Sequence, residues 1–511
     1  MRYLADVADL SRREVLAAGA ALGLASLGLT TLSGATTTPA FARPDSLRSL
    51  QRSIRGAVVR PGDPQYAALA TPRNLRYAAM MPRAVVLCAD ADDIAAAIRW
   101  ARDTGTAFAI RGGGHNYIDA SSSTGIVIST RPMRRGTIKD STLQIGAGAL
   151  NSDLATLLAQ GGAGTHLLPG GTCPNVGIAG LTLGGGIGPN ASWAGLSADR
   201  LRRAVMVTAT GDVVTANSRT NPDLFWALRG GAGANFGVVT DLTYDMVEIP
   251  VTRATTFLNS YSAAEATATG IAWQQVRLGN ERIVSGTWAV SNSAQGGRAR
   301  LRAQVLLGEA DARSLMAPLL GIPATSMEIA ERSWWDTYAW YRTPISPSNT
   351  FWDRSLYADT DLPADVIEHL VSIVAGFPGV ETGSLTFTLA GWVGGAVSEA
   401  APDATAYVHR PARTLVELTS GWPAPVDPKT WPTAVPSVVR AWMEQLWEIA
   451  LPHTTGRSYQ NFPDPELPDP ERSYYGSNLG RLRSVKSRWD PDNVFRYAQS
   501  IPPKSTSGAS R

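Results

Sequence analysis

Two glycine-rich stretches constrain this chain more than any other feature. Arg111-Gly112-Gly113-Gly114-His115-Asn116-Tyr117 follows a β-type run, and Gly170-Gly171-Thr172-Cys173-Pro174-Asn175-Val176-Gly177 sets one of only two cysteines in a loop. Glycine serves where the backbone takes positive φ or approaches a ligand closely, and successive exposed N–H groups form a nest for phosphate oxygens. Residues Arg111 to Gly114 are therefore suited to hold a pyrophosphate. No Lys-Ser/Thr follows, as a triphosphate-binding P-loop requires, and the glycine spacing differs from that of a dinucleotide-binding turn. Imidazole and thiolate are both nucleophiles, so each loop also offers a side chain able to bond to an electrophilic ring.

His115 is one of five histidines, and three glycines before it leave it little to pack against. The alternative is a satisfied structural histidine. No His-x₃-His or Cys-x₂-Cys spacing occurs, so no metal site is expected. For Cys173 the competing reading is a disulfide to Cys88. Cys88, however, ends the apolar run Ala84-Val85-Val86-Leu87, where a thiol commonly acts as a small hydrophobe.

With 511 residues the chain exceeds what one core supports, so at least two domains are expected. Lys+Arg 46 against Asp+Glu 43 gives a net charge of +3 with no dense basic run, which argues against nucleic acid as a partner. Ser11-Arg12-Arg13-Glu14-Val15-Leu16 precedes an Ala/Gly/Leu-rich segment and Ala40-Phe41-Ala42. Residues 1–42 thus read as a twin-arginine export signal, giving a secreted protein with no stable membrane insertion once the signal is removed. An uncleaved anchor is the alternative, weakened by the segment's Gly, Ser and Thr content.

Residues 43 to about 75 are a polar, proline-containing lead-in, and from Val85 the pattern is strand, helix (Asp92 to Asp103), then strand Ala107 to Ile110 running into the Arg111 loop. Strands follow at Ile126 to Ile128 and Leu143 to Gly148, with a helix from Asn151 to Gln160 stopped by Gly161-Gly162. A hairpin joins Val205–Thr208 to Val213–Thr215 through Gly211-Asp212. Near Ile249-Pro250 glycine loops give way to alternating strands, such as Thr255 to Asn259 and Val284 to Val290, and to helices around 310–319, 363–375 and 433–449. The expected division is residues 43–249, 250–450, a C-terminal segment 451–503 and a flexible tail 504–511. Eleven of the 15 tryptophans fall in the second part; most should be core, and a few, Trp392 among them, are suited to line a groove.

The ordered set of motifs resembles the berberine-bridge-enzyme-like branch of the vanillyl-alcohol-oxidase flavoprotein superfamily, in its bicovalent FAD subgroup. It comprises the two loops above, Gly180-Leu181-Thr182-Leu183-Gly184-Gly185-Gly186-Ile187-Gly188, Asp223-Leu224-Phe225-Trp226-Ala227-Leu228-Arg229-Gly230-Gly231, and Asn235-Phe236-Gly237-Val238-Val239-Thr240. Near the C-terminus it includes Tyr459-Gln460-Asn461-Phe462 and Asp490-Pro491-Asp492-Asn493-Val494-Phe495.

The resemblance implies an α+β fold: a two-part FAD-binding domain of PCMH type, a substrate domain with an antiparallel sheet backed by helices, and a C-terminal return to the FAD domain. FAD would be bonded through His115 and Cys173. Arg111, Gly112, Gly113, Gly114, Asn116, Gly171, Val176, Gly177, Gly180, Gly184, Gly185, Gly237, Val238, Val239 and Asn461 are the further expected cofactor contacts. Val176 matches the position governing oxygen access, and a small residue there fits an oxidase. Tyr459 matches a tyrosine facing the substrate, either as base or as a shaper of the pocket; Tyr117 and Trp392 are further substrate-side residues.

The implied activity is oxidation of a hydroxyl-bearing small molecule or oligosaccharide, or of a glycosylated or polycyclic natural product, with O₂ reduced to H₂O₂. A dehydrogenase with another acceptor and a secreted sugar-binding protein with a degenerate flavin fold are the alternatives.

Overall fold

Four short strands rich in valine and isoleucine build the first sheet. In the computed structural model, which describes residues 45–504 apart from 163, 343–346, 380–382 and 425–433, Ala84–Leu87 and Phe108–Arg111 both pair in parallel with Ile126–Ser129 between them. Ala57–Val59 adds an antiparallel edge. The helix Ala91–Asp103 forms the crossover: the Asp90 side chain accepts from the Asp93 N–H at its start, and Ile94, Ala97, Ile98 and Ala101 recur at helical spacing into the core. Strand Phe108–Arg111 therefore delivers the loop from Gly112 at the carboxyl end of a parallel sheet, where such sheets present ligand sites. The export signal expected at residues 1–42 lies outside the described residues, as does the tail beyond Lys504.

A second sheet of five antiparallel strands runs Gly136–Lys139, Thr142–Gly146, Val238–Asp245, Leu201–Val207, Val213–Asn217 across its width. Its last two strands are the expected hairpin, closed by the Thr208 N–H donating to the Asp212 carbonyl at 2.9 Å. The helix from Asn151 keeps α geometry only to Leu157 and widens into a π turn over Leu158–Gly162, where Gly161-Gly162 makes the backbone permissive.

The third sheet has seven antiparallel strands in the order Ser326–Ser333, Arg253–Ser262, Arg298–Val305, Val284–Asn292, Ser384–Ala390, Thr414–Trp422, Thr350–Ala358. Helices Ala266–Arg277, Ala364–Gly376 and Ser437–Ala450 back it. Trp273 and Trp288 are fully buried between helices and sheet, and Trp288 Nε1 donates to Thr269 Oγ1 at 2.9 Å, so these tryptophans are core residues. Two helix expectations change. The helix expected over 310–319 divides at Met316 into Glu309–Leu315 and Ala317–Leu320, because Pro318 has no N–H to continue the ladder. The helix expected from 433 begins at Ser437, after Pro436, whose fixed φ suits a helix start and not its interior.

The described residues, from Asp45 onward, form one compact unit. The C-terminal segment is tied into the glycine-rich part by buried polar bonds. Gln460 Nε2 donates to the Gly230 carbonyl at 2.8 Å, and Asn461 Nδ2 to that of Leu181 at 2.9 Å. Lys486, fully buried, donates to the carbonyls of Asn235 (2.7 Å) and Phe495 (2.6 Å) and to Asp490 Oδ2 (2.7 Å). Replacing it with methionine leaves the buried Asp490 carboxylate without its counter-charge. Lys486→Met should lose about 3 kcal/mol of stability in denaturant unfolding; an unchanged midpoint would contradict this role.

Candidate active site

The two glycine loops meet backbone to backbone. A Cβ placed on Gly113 would lie 2.4 Å from the Gly177 nitrogen, and one on Gly177 would lie 2.6 Å from the Gly113 nitrogen. Gly114 adopts φ +69°, turning the chain so that His115 follows. Together the loops wall a cavity with an empty volume of about 1740 Å³, part of it open to solvent. His115 and Cys173 both line it. Cys88 and Cys173 form no disulfide: Cys88 is fully buried in the first sheet, and burial pushes its thiol far up. The imidazole of His115 is pushed down to about 4, by burial first and then by the Arg73 guanidinium. It is therefore neutral, with a ring lone pair available for bonding, across the physiological range.

Opposite the loops lies Tyr459, fully buried within the protein wall yet bordering the cavity. Its hydroxyl oxygen accepts from the N–H groups of Gly186 (3.2 Å) and Ile187 (3.3 Å) and from Asn461 Nδ2 (3.0 Å). A phenol oxygen has two lone pairs, whereas a phenolate offers three acceptor sites, so three convergent donors match the deprotonated form. Burial outweighs them and raises the Tyr459 pKa above its ordinary value. Tyr459 and Asn461 sit in a turn, closed by the Phe462 N–H on the Tyr459 carbonyl at 2.8 Å.

Seventeen of the expected site residues line the cavity. They are Gly112, Gly113, Gly114, His115, Asn116, Tyr117, Gly171, Cys173, Val176, Gly177, Gly180, Gly237, Val238, Val239, Trp392, Tyr459 and Asn461. Three do not, and their expected cofactor contacts are corrected to packing roles. Arg111 turns its guanidinium to the carbonyls of Leu69 (2.6 Å), Ala70 (3.0 Å) and Ser121 (3.0 Å), bracing the loop from behind. A Cβ on Gly184 would meet Asn461 Oδ1 at 2.1 Å, and one on Gly185 the Tyr407 ring at 2.6 Å, so both glycines admit neighbouring side chains.

The structure adds residues that sequence spacing did not single out. Asp353 and Glu417 stand on adjacent strands, and Glu417 lines the cavity. Thr419 Oγ1 donates to Asp353 Oδ2 at 2.8 Å. Both carboxyls are raised, Asp353 by burial and then by the neighbouring Glu417, and Glu417 by burial. Burial and mutual repulsion both favour the protonated form of such a pair. Arg73 lies over the Phe351 ring (5.3 Å) and bonds Asn349. Tyr117 stacks on Phe462 with centroids 5.2 Å apart and meets Phe351 edge-on at 5.0 Å. Only the left-handed φ of Ala232 (+64°) and Ala234 (+58°), both on the cavity wall, marks further strain there. Among the described residues no cluster of His, Cys, Asp and Glu could hold a metal ion, and no helix is long and apolar enough to cross a membrane.

A loop from a parallel sheet and a second glycine loop thus enclose one large cavity, on which Glu417 of the seven-stranded sheet also opens. The FAD binding domain model matches residues 82–217, and the berberine and berberine like model matches residues 458–502. The chain is 32% identical over 463 residues to the Bacillus subtilis FAD-linked oxidoreductase YgaK, covering 88% of this chain and 97% of that protein. To the chitooligosaccharide oxidase of Gibberella zeae it is 28% identical over 453 residues, covering 85% and 90%. A solved chitooligosaccharide oxidase superposes with TM-score 0.76 at 27% identity, covering 90% of this chain and all of the other; the xylooligosaccharide oxidase from Myceliophthora thermophila, solved with xylobiose, gives 0.77 at 25%, covering 90% and 99%. The chain belongs to the berberine-bridge-enzyme-like family of FAD-linked oxidoreductases.

The residues present fit FAD: glycines that let backbone amides approach a ligand from two sides, and a neutral imidazole and a thiol-bearing residue on the same wall. Gly113→Ala would force the two loops apart. It should lower stability by about 2 kcal/mol and release most of the bound flavin, measured by thermal unfolding and flavin absorbance per protein; full flavin occupancy in a stable Gly113→Ala protein would contradict the close-approach argument.

Proposed function

We propose that the protein is an oxidase with FAD attached at both His115 and Cys173, acting on a hydroxyl-bearing carbohydrate and using O₂ as acceptor. The observation that carries this reading is the placing of two nucleophiles, one neutral imidazole and one cysteine outside any disulfide, on one glycine-walled cavity. Bound FAD would accept the hydride of the carbinol carbon and hand its electrons to O₂, yielding H₂O₂. Two tethers hold the cofactor from the protein side, so the opposite face can remain a wide cleft. Val176, three residues beyond Cys173 on the cavity wall, is small enough to leave oxygen a path. Residues 1–42 complete the reading as a twin-arginine signal that exports the folded, cofactor-loaded protein.

Tyr459 acts as the phenolate, which its three donors stabilise, and becomes a neutral phenol as it takes the hydroxyl proton. The Asp353–Glu417 pair, whose protonated form burial favours, donates a hydrogen bond that orients the substrate. Carbohydrate is favoured over a polycyclic substrate by the sheet face that carries Glu417, where the register also places Thr388, Thr386 and Ser291. Short hydroxyl side chains both donate and accept, as sugar hydroxyls require.

Substitutions separate tethering from catalysis. Cys173→Ala should keep flavin on the polypeptide after acid precipitation through His115, with an altered spectrum, and the double variant with His115→Ala should release it; an unaltered spectrum in Cys173→Ala removes the second bond. Tyr459→Phe should keep its flavin and lose about 10²-fold or more in kcat. Because the raised Tyr459 pKa makes its basic form available only as pH rises, kcat/KM in the wild type should climb toward alkaline pH. Tyr459→Phe should flatten that climb; an unchanged profile would leave the tyrosine as a wall residue only. Peroxide release in air, measured with a panel of oligosaccharides, distinguishes the oxidase from a dehydrogenase with another acceptor.

A further inference from the structure

Arg298, Arg300 and Arg302 alternate along one strand and so project from one face of the seven-stranded sheet. The face is identified by Gln304, next in the same alternation, whose amide donates to the Pro189 carbonyl (3.2 Å) and Asn190 Oδ1 (3.0 Å) beside the second glycine-rich run. Ala299, Leu301 and Ala303, between them, are fully buried on the helix-covered side. Register carries the same face across the sheet in two rows. One runs Arg300, Ala289, Thr388, Glu417; the other runs Arg298, Ser291, Thr386, Thr419, Asp353. The face thus grades from cations, through short hydroxyl and methyl side chains, to the carboxyl pair at the cavity. Glu417 and Arg300 are three strand spacings apart, about 14 Å.

The positive end is not neutralised by the protein. Among the described residues none of Arg73, Arg298, Arg300 and Arg302 takes part in an ion pair. The guanidinium of Arg302 lies over the rings of Trp340 (4.7 Å) and Tyr341 (5.3 Å) and is fixed by the Trp340 carbonyl. Cys173 contributes to the electrostatic surroundings of both Arg302 and Arg73, so both cations belong to the neighbourhood of the second glycine loop. Arg300 continues the row into solvent. The arginine row, without ion-pair partners among the described residues, leaves this end of the face with an excess of positive charge.

We propose that the substrate is an acidic oligosaccharide, its carboxylates held by Arg300 and Arg302 while a hydroxyl-bearing carbon reaches Tyr459. This deepens the oxidase reading and rests on it for the redox step. A carboxylate on a pyranose pairs with the guanidinium fork in two-point geometry, and the Trp340 ring beside Arg302 offers a face for the sugar. The span from Glu417 to Arg300 suits a chain of a few rings and exceeds a monosaccharide.

The test uses the flavin-loaded enzyme, the trimer of galacturonic acid and the neutral trimer cellotriose. Binding is followed by the change in the flavin spectrum under anaerobic conditions, and flavin reduction by bleaching in the same cuvette. The acidic trimer should bind about tenfold more tightly, with the advantage shrinking at high salt. Arg300→Gln, at an exposed position where folding should be unaffected, should abolish most of that advantage without changing cellotriose binding, and Arg300→Lys should restore part of it. Equal or tighter binding of cellotriose, or an equal loss for both trimers in Arg300→Gln, overturns the proposal whatever the flavin does. Preferential acidic binding without bleaching by either trimer supports the acid recognition and counts instead against the oxidase reading.

Discussion

The contact between Gly113 and Gly177 is the constraint on which the rest of the site depends. Each backbone occupies the space that the other's Cβ would fill, so two loops from different elements are locked at a separation that any larger residue would increase. Because His115 lies two residues beyond one glycine and Cys173 four before the other, the contact also fixes the relation of the two nucleophiles. The loops are braced from behind, by Arg111 on the carbonyls of Leu69, Ala70 and Ser121 and by Asn151 Nδ2 on the carbonyls of Gly171 and Cys173. A cofactor held by such loops meets a surface organised before it arrives.

Burial then assigns proton states around that surface. It keeps His115 neutral and raises Tyr459, while the shared burial of Asp353 and Glu417 favours their protonated forms. These shifts have one cause, the loss of water, and opposite consequences: a base that needs alkaline conditions, an imidazole that needs none, and a carboxyl able to donate. On the same sheet face as Glu417, Arg298 and Arg300 are exposed, where solvent supports their charge.

Much of this was legible before the fold was known, and the reasons are physical. Glycine runs are informative because few other residues can make such close approaches, so the loops at 111–117 and 170–177 stood out, and 17 expected residues do line the cavity. The glycines at 184 and 185 carried the same signal for a different cause, the admission of Asn461 and Tyr407, which sequence cannot separate from ligand approach. Asp353 and Glu417 gave no local sign because their meeting depends on strand register between segments far apart in the chain. The same holds for the arginine row, whose alternation is visible in sequence but whose facing is set by Gln304 and its bonds to Pro189 and Asn190. Helix ends were displaced where proline, at 318 and 436, removed a donor.

Mass spectrometry of proteolytic fragments tests the central claim most directly. The peptides containing His115 and Cys173 should appear as a single cross-linked species whose added mass is one FAD less the hydrogens lost in forming two bonds. Recovery of both peptides unmodified from yellow, active enzyme, or of flavin on neither, would contradict the account.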